Sequence, residues 1–88
     1  MRGEPAVVAC NRTMEQARRD FSQGRLASAT LLRLPMSAQW NVRLSGTRGD
    51  DGMLLDLKTL QPQVFDSLDG AVRALELVGL RCDQLRLG

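Results

Sequence analysis

Apolar and polar side chains alternate most strictly at Trp40-Asn41-Val42-Arg43-Leu44-Ser45, so Trp40, Val42 and Leu44 share one face of an extended chain. The pattern is that of a strand buried on one side. Met53, Leu55 and Leu57 repeat the period over Met53–Leu57, predicting a second strand with Leu54 and Asp56 on its other face. Between them, residues 46–52 hold Gly46, Gly49, Gly52, Asp50 and Asp51, which is the chemistry of a hairpin loop. A helical period takes over at Leu68, Ala71, Val72, Leu75 and Val78. Asp66 or Ser67 caps this helix, Asp69 complements its dipole, and Gly79 ends it. Leu80 to Leu87 then reads as a closing strand with Cys82, Leu85 and Leu87 partly buried.

Upstream, Thr13 and Gln16 have the spacing of a capping box, Met14, Ala17 and Phe21 fall on one helical face, and Gly24 stands at the helix end. Glu15, Arg18, Arg19 and Ser22 occupy the other face of that helix. Residues 27–35 admit two readings. Thr30–Leu34 fits a strand closed by Pro35, whereas the low β-branched content also suits a continuing helix, against which Pro35 argues. The predicted order is α-β-β-β-α-β, a small α+β two-layer sandwich with a mostly antiparallel sheet and helix packed on one face. Residues 1–13, with Gly3, Pro5 and no sustained period, read as a flexible N-terminal arm, and residues 14–88 as a single domain.

A chain of 88 residues buries only about 60–65% of its unfolded surface, so its core gains from being doubled. A homodimer joined through a sheet edge or an apolar face is therefore expected. With 43% hydrophobic and 25% charged residues the composition is that of a globular protein. Charge is distributed unevenly: residues 1–49 carry eight Arg against three acids, 8 − 3 = +5, and residues 50–88 carry four cations against seven acids, 4 − 7 = −3. Such an asymmetry steers an acidic partner to the first half or lets copies associate head to tail. Cys10 and Cys82 lack metal-site spacing and read as free thiols of a reducing cytoplasm. No apolar run approaches the roughly 20 residues of a membrane span, and Ala6 to Cys10 is too short for a signal peptide. A soluble, cytoplasmic protein is expected.

Reactive constellations are missing. The sequence contains no His and no Tyr, which removes the usual base near neutral pH, the commonest zinc ligand and every Ser-His or Cys-His arrangement. Asp50 and Asp51 lack the spaced oxygen ligands of a calcium loop, and Asp66 and Asp69 are accounted for by capping. Gly46-Thr47-Arg48-Gly49 lacks the Gly-Lys-Ser/Thr ending of a phosphate loop, and Arg48-Gly49-Asp50 is a chance match to an adhesion tripeptide. The chain is thus read as not an enzyme, with no cofactor, no metal and no small-molecule substrate implied.

Binding surfaces remain. Asn41, Arg43 and Ser45 project together from the best strand, and Arg33 joins Arg43 if the preceding strand pairs beside it. Arg18 and Arg19 of the first helix and Arg48 of the hairpin loop complete the set of possible contacts to nucleic acid or a partner. Trp40 is a core anchor rather than a base-stacking platform, and an aromatic content of 3% counts against single-strand nucleic-acid binding.

The segment from Trp40 to Gly88, with Trp40-Asn41-Val42-Arg43-Leu44, then Val64-Phe65-Asp66-Ser67-Leu68-Asp69-Gly70-Ala71-Val72-Arg73-Ala74-Leu75 and Leu77-Val78-Gly79, resembles small partition-associated proteins of bacterial plasmids and integrative elements. That resemblance implies an accessory role in plasmid or mobile-element maintenance, acting by protein or DNA contact. The strand order is also similar to three-stranded DNA-binding domains, whose sheet residues are represented here by Arg33, Arg43 and Trp40. Double-stranded RNA-binding domains share the order too, but Asp66 and Asp69 stand where those present lysines. The expectation is a non-enzymatic interaction module that binds a protein partner or itself. Its alternative is a weak DNA binder using the sheet face around Arg43.

Overall fold

Arg12–Thr13 form a two-residue strand, β1, in the computed structural model, which describes residues 10–88. The expected arm over residues 1–13 does not hold for Cys10–Thr13, which are bonded into the fold at the Asp51 carbonyl, at Met53 and alongside Leu54 and Leu55; residues 1–9 lie outside the described part. Thr13 then turns the chain into helix α1 (Met14–Ser22) through the predicted capping box. Its Oγ1 accepts the Gln16 N–H at 3.4 Å, and Gln16 Oε1 accepts the Thr13 N–H at 3.0 Å. Gly24, at φ 72, lets the chain turn back at the far end. There the Arg25 N–H reaches the Asp20 carbonyl at 2.8 Å and the Gly24 N–H reaches that of Phe21 at 3.0 Å.

Leu26–Arg33 is a strand, β2, followed by β3 (Trp40–Gly46) and β4 (Gly52–Leu55). Helix α2 (Leu68–Val78) is capped by Ser67, whose Oγ accepts the Gly70 N–H at 3.0 Å, while Asp66 instead accepts from Gln39 Nε2. A short 3-10 turn at Cys82–Gln84 leads to β5 (Leu85–Leu87).

The sheet order is β1-β4-β3-β2-β5, and the pairing is mixed rather than mostly antiparallel. β3 runs against both β2 and β4, whereas β1 lies parallel to β4 and β5 parallel to β2. Four strands thus run one way and β3 alone opposes them. The reason lies in the helices: α1 carries the chain from β1 over to β2, and α2 carries it from β4 over to β5, and a crossover of this kind joins parallel strands. The element order is β-α-β-β-β-α-β, one strand more than predicted. Residues 27–33 are strand because β2 is flanked on both sides, so its backbone finds partners that a helix ending at Pro35 would lack.

Both helices cover one face of this small α+β sheet. Ala17, Ala71, Leu75 and Val78 pack on Leu26, Ala29, Leu31, Val42, Leu44 and Leu54, with Trp40 half-buried beside them. The stripe headed by Leu68 meets the Val42 and Leu44 face as the two periods required. Two boundaries moved. β4 stops at Leu55 because the Asp56 N–H donates to the Gln61 carbonyl at 2.8 Å, which leaves Leu57 outside the sheet and 74% exposed. The closing strand shrinks to Leu85–Leu87, with Leu80 buried, Leu85 half-buried and both Cys82 and Leu87 exposed. Among the described residues no helix is long and apolar enough to cross a membrane.

Candidate interaction surface

β1 stays in place through a buried guanidinium. Arg12 is 1% exposed; its Nε donates to Asp20 Oδ2 at 2.7 Å and its Nη2 to Asp50 Oδ2 at 2.9 Å and to the Asp50 carbonyl at 3.0 Å. Nη1 donates to the Cys10 carbonyl at 3.1 Å. Burying a charge is tolerable only when it is paired and hydrogen-bonded, and here two carboxylates and two carbonyls meet that demand. Asp50 is therefore an ion-pair partner as well as a turn residue. Asp51 accepts the Gly46 N–H and lies 3.7 Å from Arg43. No metal-holding group of His, Cys, Asp and Glu forms among the described residues.

The predicted contact residues do not converge. Arg33 pairs with Trp40 and Arg43 with Thr30, and residues opposite each other across a ladder share a face. Arg33 therefore belongs to the face of Trp40 and Val42, and Arg43 to the opposite, helix-free face. The expected Arg33–Arg43 pair is excluded by this register. Asn41 is engaged by its own fold, donating from Nδ2 to the Gln63 carbonyl at 2.7 Å. Arg18 and Arg19 stand exposed on α1 beside Glu15 and Ser22, and Arg48 is exposed on the loop before β4. Arg86 joins Arg43 on the open sheet face, because it pairs with Thr30 from the other side.

A different feature gathers apolar side chains. Where the start of α1, the exit of β4 and the last turn of α2 converge, a groove of 620 Å³ is lined by Met14, Leu55, Leu57 and Leu77, with Glu15, Arg18, Asp56 and Lys58 also at its walls. Leu57 and Leu77 are 74% and 70% exposed. The turn after β4 is braced around Asp56, whose Oδ1 accepts the Lys58 N–H at 2.7 Å and the Thr59 N–H at 3.3 Å, and whose carbonyl accepts the Leu60 N–H at 2.8 Å. Leu60 sits in this rigid turn at φ 57 and is 59% exposed. An L-residue in the left-handed region costs about 1 kcal/mol or more, and neither burial nor a core contact offsets that cost at Leu60.

Met36 repeats the arrangement. It lies at the tip of the β2–β3 hairpin at φ 56, fully exposed, and it and Leu60 are the non-glycine residues with positive φ among those described. Its turn is braced too: the Leu34 N–H donates to the Gln39 carbonyl at 2.8 Å, and Arg33 Nε donates to the Ser37 carbonyl at 2.9 Å. Sequence reasoning missed the groove because Leu57 continues the Met53-Leu55 alternation, which the structure sets on the face opposite Leu54, the buried residue of β4, and because Leu77 stands off the stripe of Leu68, Ala71, Val72, Leu75 and Val78 and carries no periodic signal. Comparison with protein-family models, with curated proteins and with solved structures returns no match to this chain.

Proposed function

We propose that the chain is a non-enzymatic protein-interaction module that self-associates through the groove between α1, β4 and α2. The observation that carries this reading is the pair Leu57 and Leu77, two large apolar side chains exposed on the walls of one concave surface. Concave apolar surface rimmed by charges is the ordinary form of a protein-binding site, and the braced turn at Asp56 keeps Leu57 and Leu60 in place before any partner arrives. The resemblance of residues 40–88 to partition-associated proteins supports an accessory role in a bacterial plasmid or mobile-element system, acting in the cytoplasm.

Sedimentation velocity over a range of concentrations tests the reading. The unmodified chain is expected to associate, and Leu77→Asp to weaken association by about tenfold or more while the far-ultraviolet circular dichroism stays unchanged. Association that is untouched by both Leu57→Asp and Leu77→Asp, or a strict monomer with no partner in a pull-down, rejects it.

The second reading, weak DNA binding over the open sheet face, is favoured by Arg43 and Arg86 lying on that face together. It loses ground because Arg33 lies on the other face and Arg43 already stands near Asp51. A gel-shift titration at low salt separates the two: DNA binding through this face requires a steep loss of affinity with salt and a weakening by Arg43→Ala on every sequence.

A further inference from the structure

No helix covers the second face of the sheet. Ala29, Leu31, Val42, Leu44 and Leu54 are buried under α1 and α2, so alternation sends Thr30, Leu32, Arg43, Ser45 and Met53 the other way. Register sets Met53, Arg43, Thr30 and Arg86 side by side in one row across β4, β3, β2 and β5. Arg25 stands one residue before buried Leu26, and its carbonyl accepts the Thr47 N–H at 3.0 Å, so it extends this face beyond the start of β2. Leu32 and Thr30 lean over the end of β5, where a Cβ on Gly88 would stand 2.7 Å from Leu32 Cδ2 and from Thr30 Cγ2. Independently of the groove, we propose that this open face receives an acidic amphipathic α-helix of a partner protein, laid along β2.

Charge complementarity selects the partner. Arg25, Arg43 and Arg86 are exposed, and the carboxylate that shares their face is Asp51, 3.7 Å from Arg43. Arg43 keeps 54% of its side chain open to solvent, and Arg25 and Arg86 make no ion pair among the described residues. Arg43 and Arg86 flank Thr30 two strand spacings apart, roughly 10 Å, which is the diameter of a helix. A helix seated on β2 therefore has one arginine along each flank. Arg25 lies five residues up the strand from Thr30, roughly 16 Å or three helical turns, within reach of a third carboxylate. Leu32 and Met53 decide between a protein and a nucleic acid. Both are half-buried on the open face and stand outside the core cluster. A phosphate backbone, charged along its whole length, leaves these side chains without a partner and meets Asp51 as well, whereas the apolar stripe of an amphipathic helix covers them.

Fluorescence anisotropy of a labelled synthetic peptide tests the inference. The probe is a helix of about 18 residues with leucine along one stripe and glutamate on both flanks, and its control carries glutamine in place of each glutamate. The unmodified chain is expected to bind the glutamate peptide saturably and about tenfold more tightly than the glutamine peptide. Arg86→Glu is expected to weaken that binding about tenfold while the far-ultraviolet circular dichroism stays unchanged. Leu32→Ser should weaken it severalfold, and Leu77→Asp, on the helix side of the sheet, should leave it intact. Absence of saturable binding, or binding that ignores Arg86→Glu, overturns the inference. Binding lost in Leu77→Asp but kept in Arg86→Glu assigns the peptide to the groove instead. A DNA duplex that binds through Arg86 where the peptide does not gives the face to nucleic acid and likewise rejects the proposal.

Discussion

Gly79 ends α2 at φ 119, and a Cβ built on it would stand 2.6 Å from the edge of the Phe21 ring in α1. Two demands meet at this one position. The backbone needs a residue without a side chain in a conformation L-residues avoid, and the neighbouring helix approaches through the space a side chain would take. Gly79→Ala is expected to lower stability by roughly 2–4 kcal/mol, from backbone strain and overpacking together. Adding Phe21→Leu should recover the packing part and leave the backbone part. A double-mutant cycle by urea denaturation measures this, and additivity within about 0.5 kcal/mol would count against the contact.

Arg12 ties together three segments: the chain just before β1 through the Cys10 carbonyl, α1 through Asp20 and the β3–β4 loop through Asp50. Arg12→Ala leaves Asp20 and Asp50 facing each other and two carbonyls without a cation. It is expected to cost about 3 kcal/mol, the low end of the range for breaking a buried pair because both carboxylates reach solvent. Arg12→Lys should recover little, because one ammonium cannot reproduce a fork that serves two carboxylates and two carbonyls at once. Thermal melts decide the matter. A lysine variant as stable as the unmodified chain would show that charge alone, rather than guanidinium geometry, holds β1.

The parts of this fold legible in the sequence are those that periodicity and caps encode. Thr13 with Gln16, the α2 stripe from Leu68 to Val78, and the Trp40–Leu44 alternation are local signals, and each becomes the element it predicts. β1 left no such trace, since two residues carry no period and its anchor is a charged side chain, a type that is rarely buried. Sheet direction was likewise hidden: hairpin signals mark only neighbours in sequence, whereas β1–β4 and β2–β5 are pairings across helices. The groove was obscured for the opposite reason. Leu57 continues the Met53-Leu55 alternation, and only the hydrogen bonds of Asp56 show that the strand has already ended.

Leu60 tests whether the braced turn serves binding at the expense of stability. Asn tolerates the left-handed region far better than Leu, and Leu60 contributes no core contact that would be lost. Leu60→Asn is therefore expected to raise stability by about 0.5–1 kcal/mol and, by removing exposed apolar surface from the turn that also carries Leu57, to weaken self-association severalfold. Both readouts are needed. A substitution that destabilises the fold shows that Leu60 is structural, and one that leaves association unchanged places it outside the interface.

Gly52 gives a test of β1 with a control built into the chain. A Cβ on Gly52 would lie 2.2 Å from the Cys10 carbonyl oxygen and 2.7 Å from the Asn11 nitrogen. These are backbone atoms, so no side chain can swing aside to make room, and Gly52→Ala must push β1 away from β4. The Cys10 N–H then loses its bond to the Asp51 carbonyl, and Asn11 Oδ1 loses the Met53 N–H. Cys10, half-buried while β1 is seated, becomes open to solvent, whereas Cys82 is exposed in either case. Alkylation by iodoacetamide, followed by mass spectrometry of each cysteine, is expected to accelerate at Cys10 several-fold in Gly52→Ala and to stay constant at Cys82. Equal acceleration at both thiols would mean general loosening of the fold, and none at Cys10 would mean that β1 keeps its seat without the close approach that Gly52 permits.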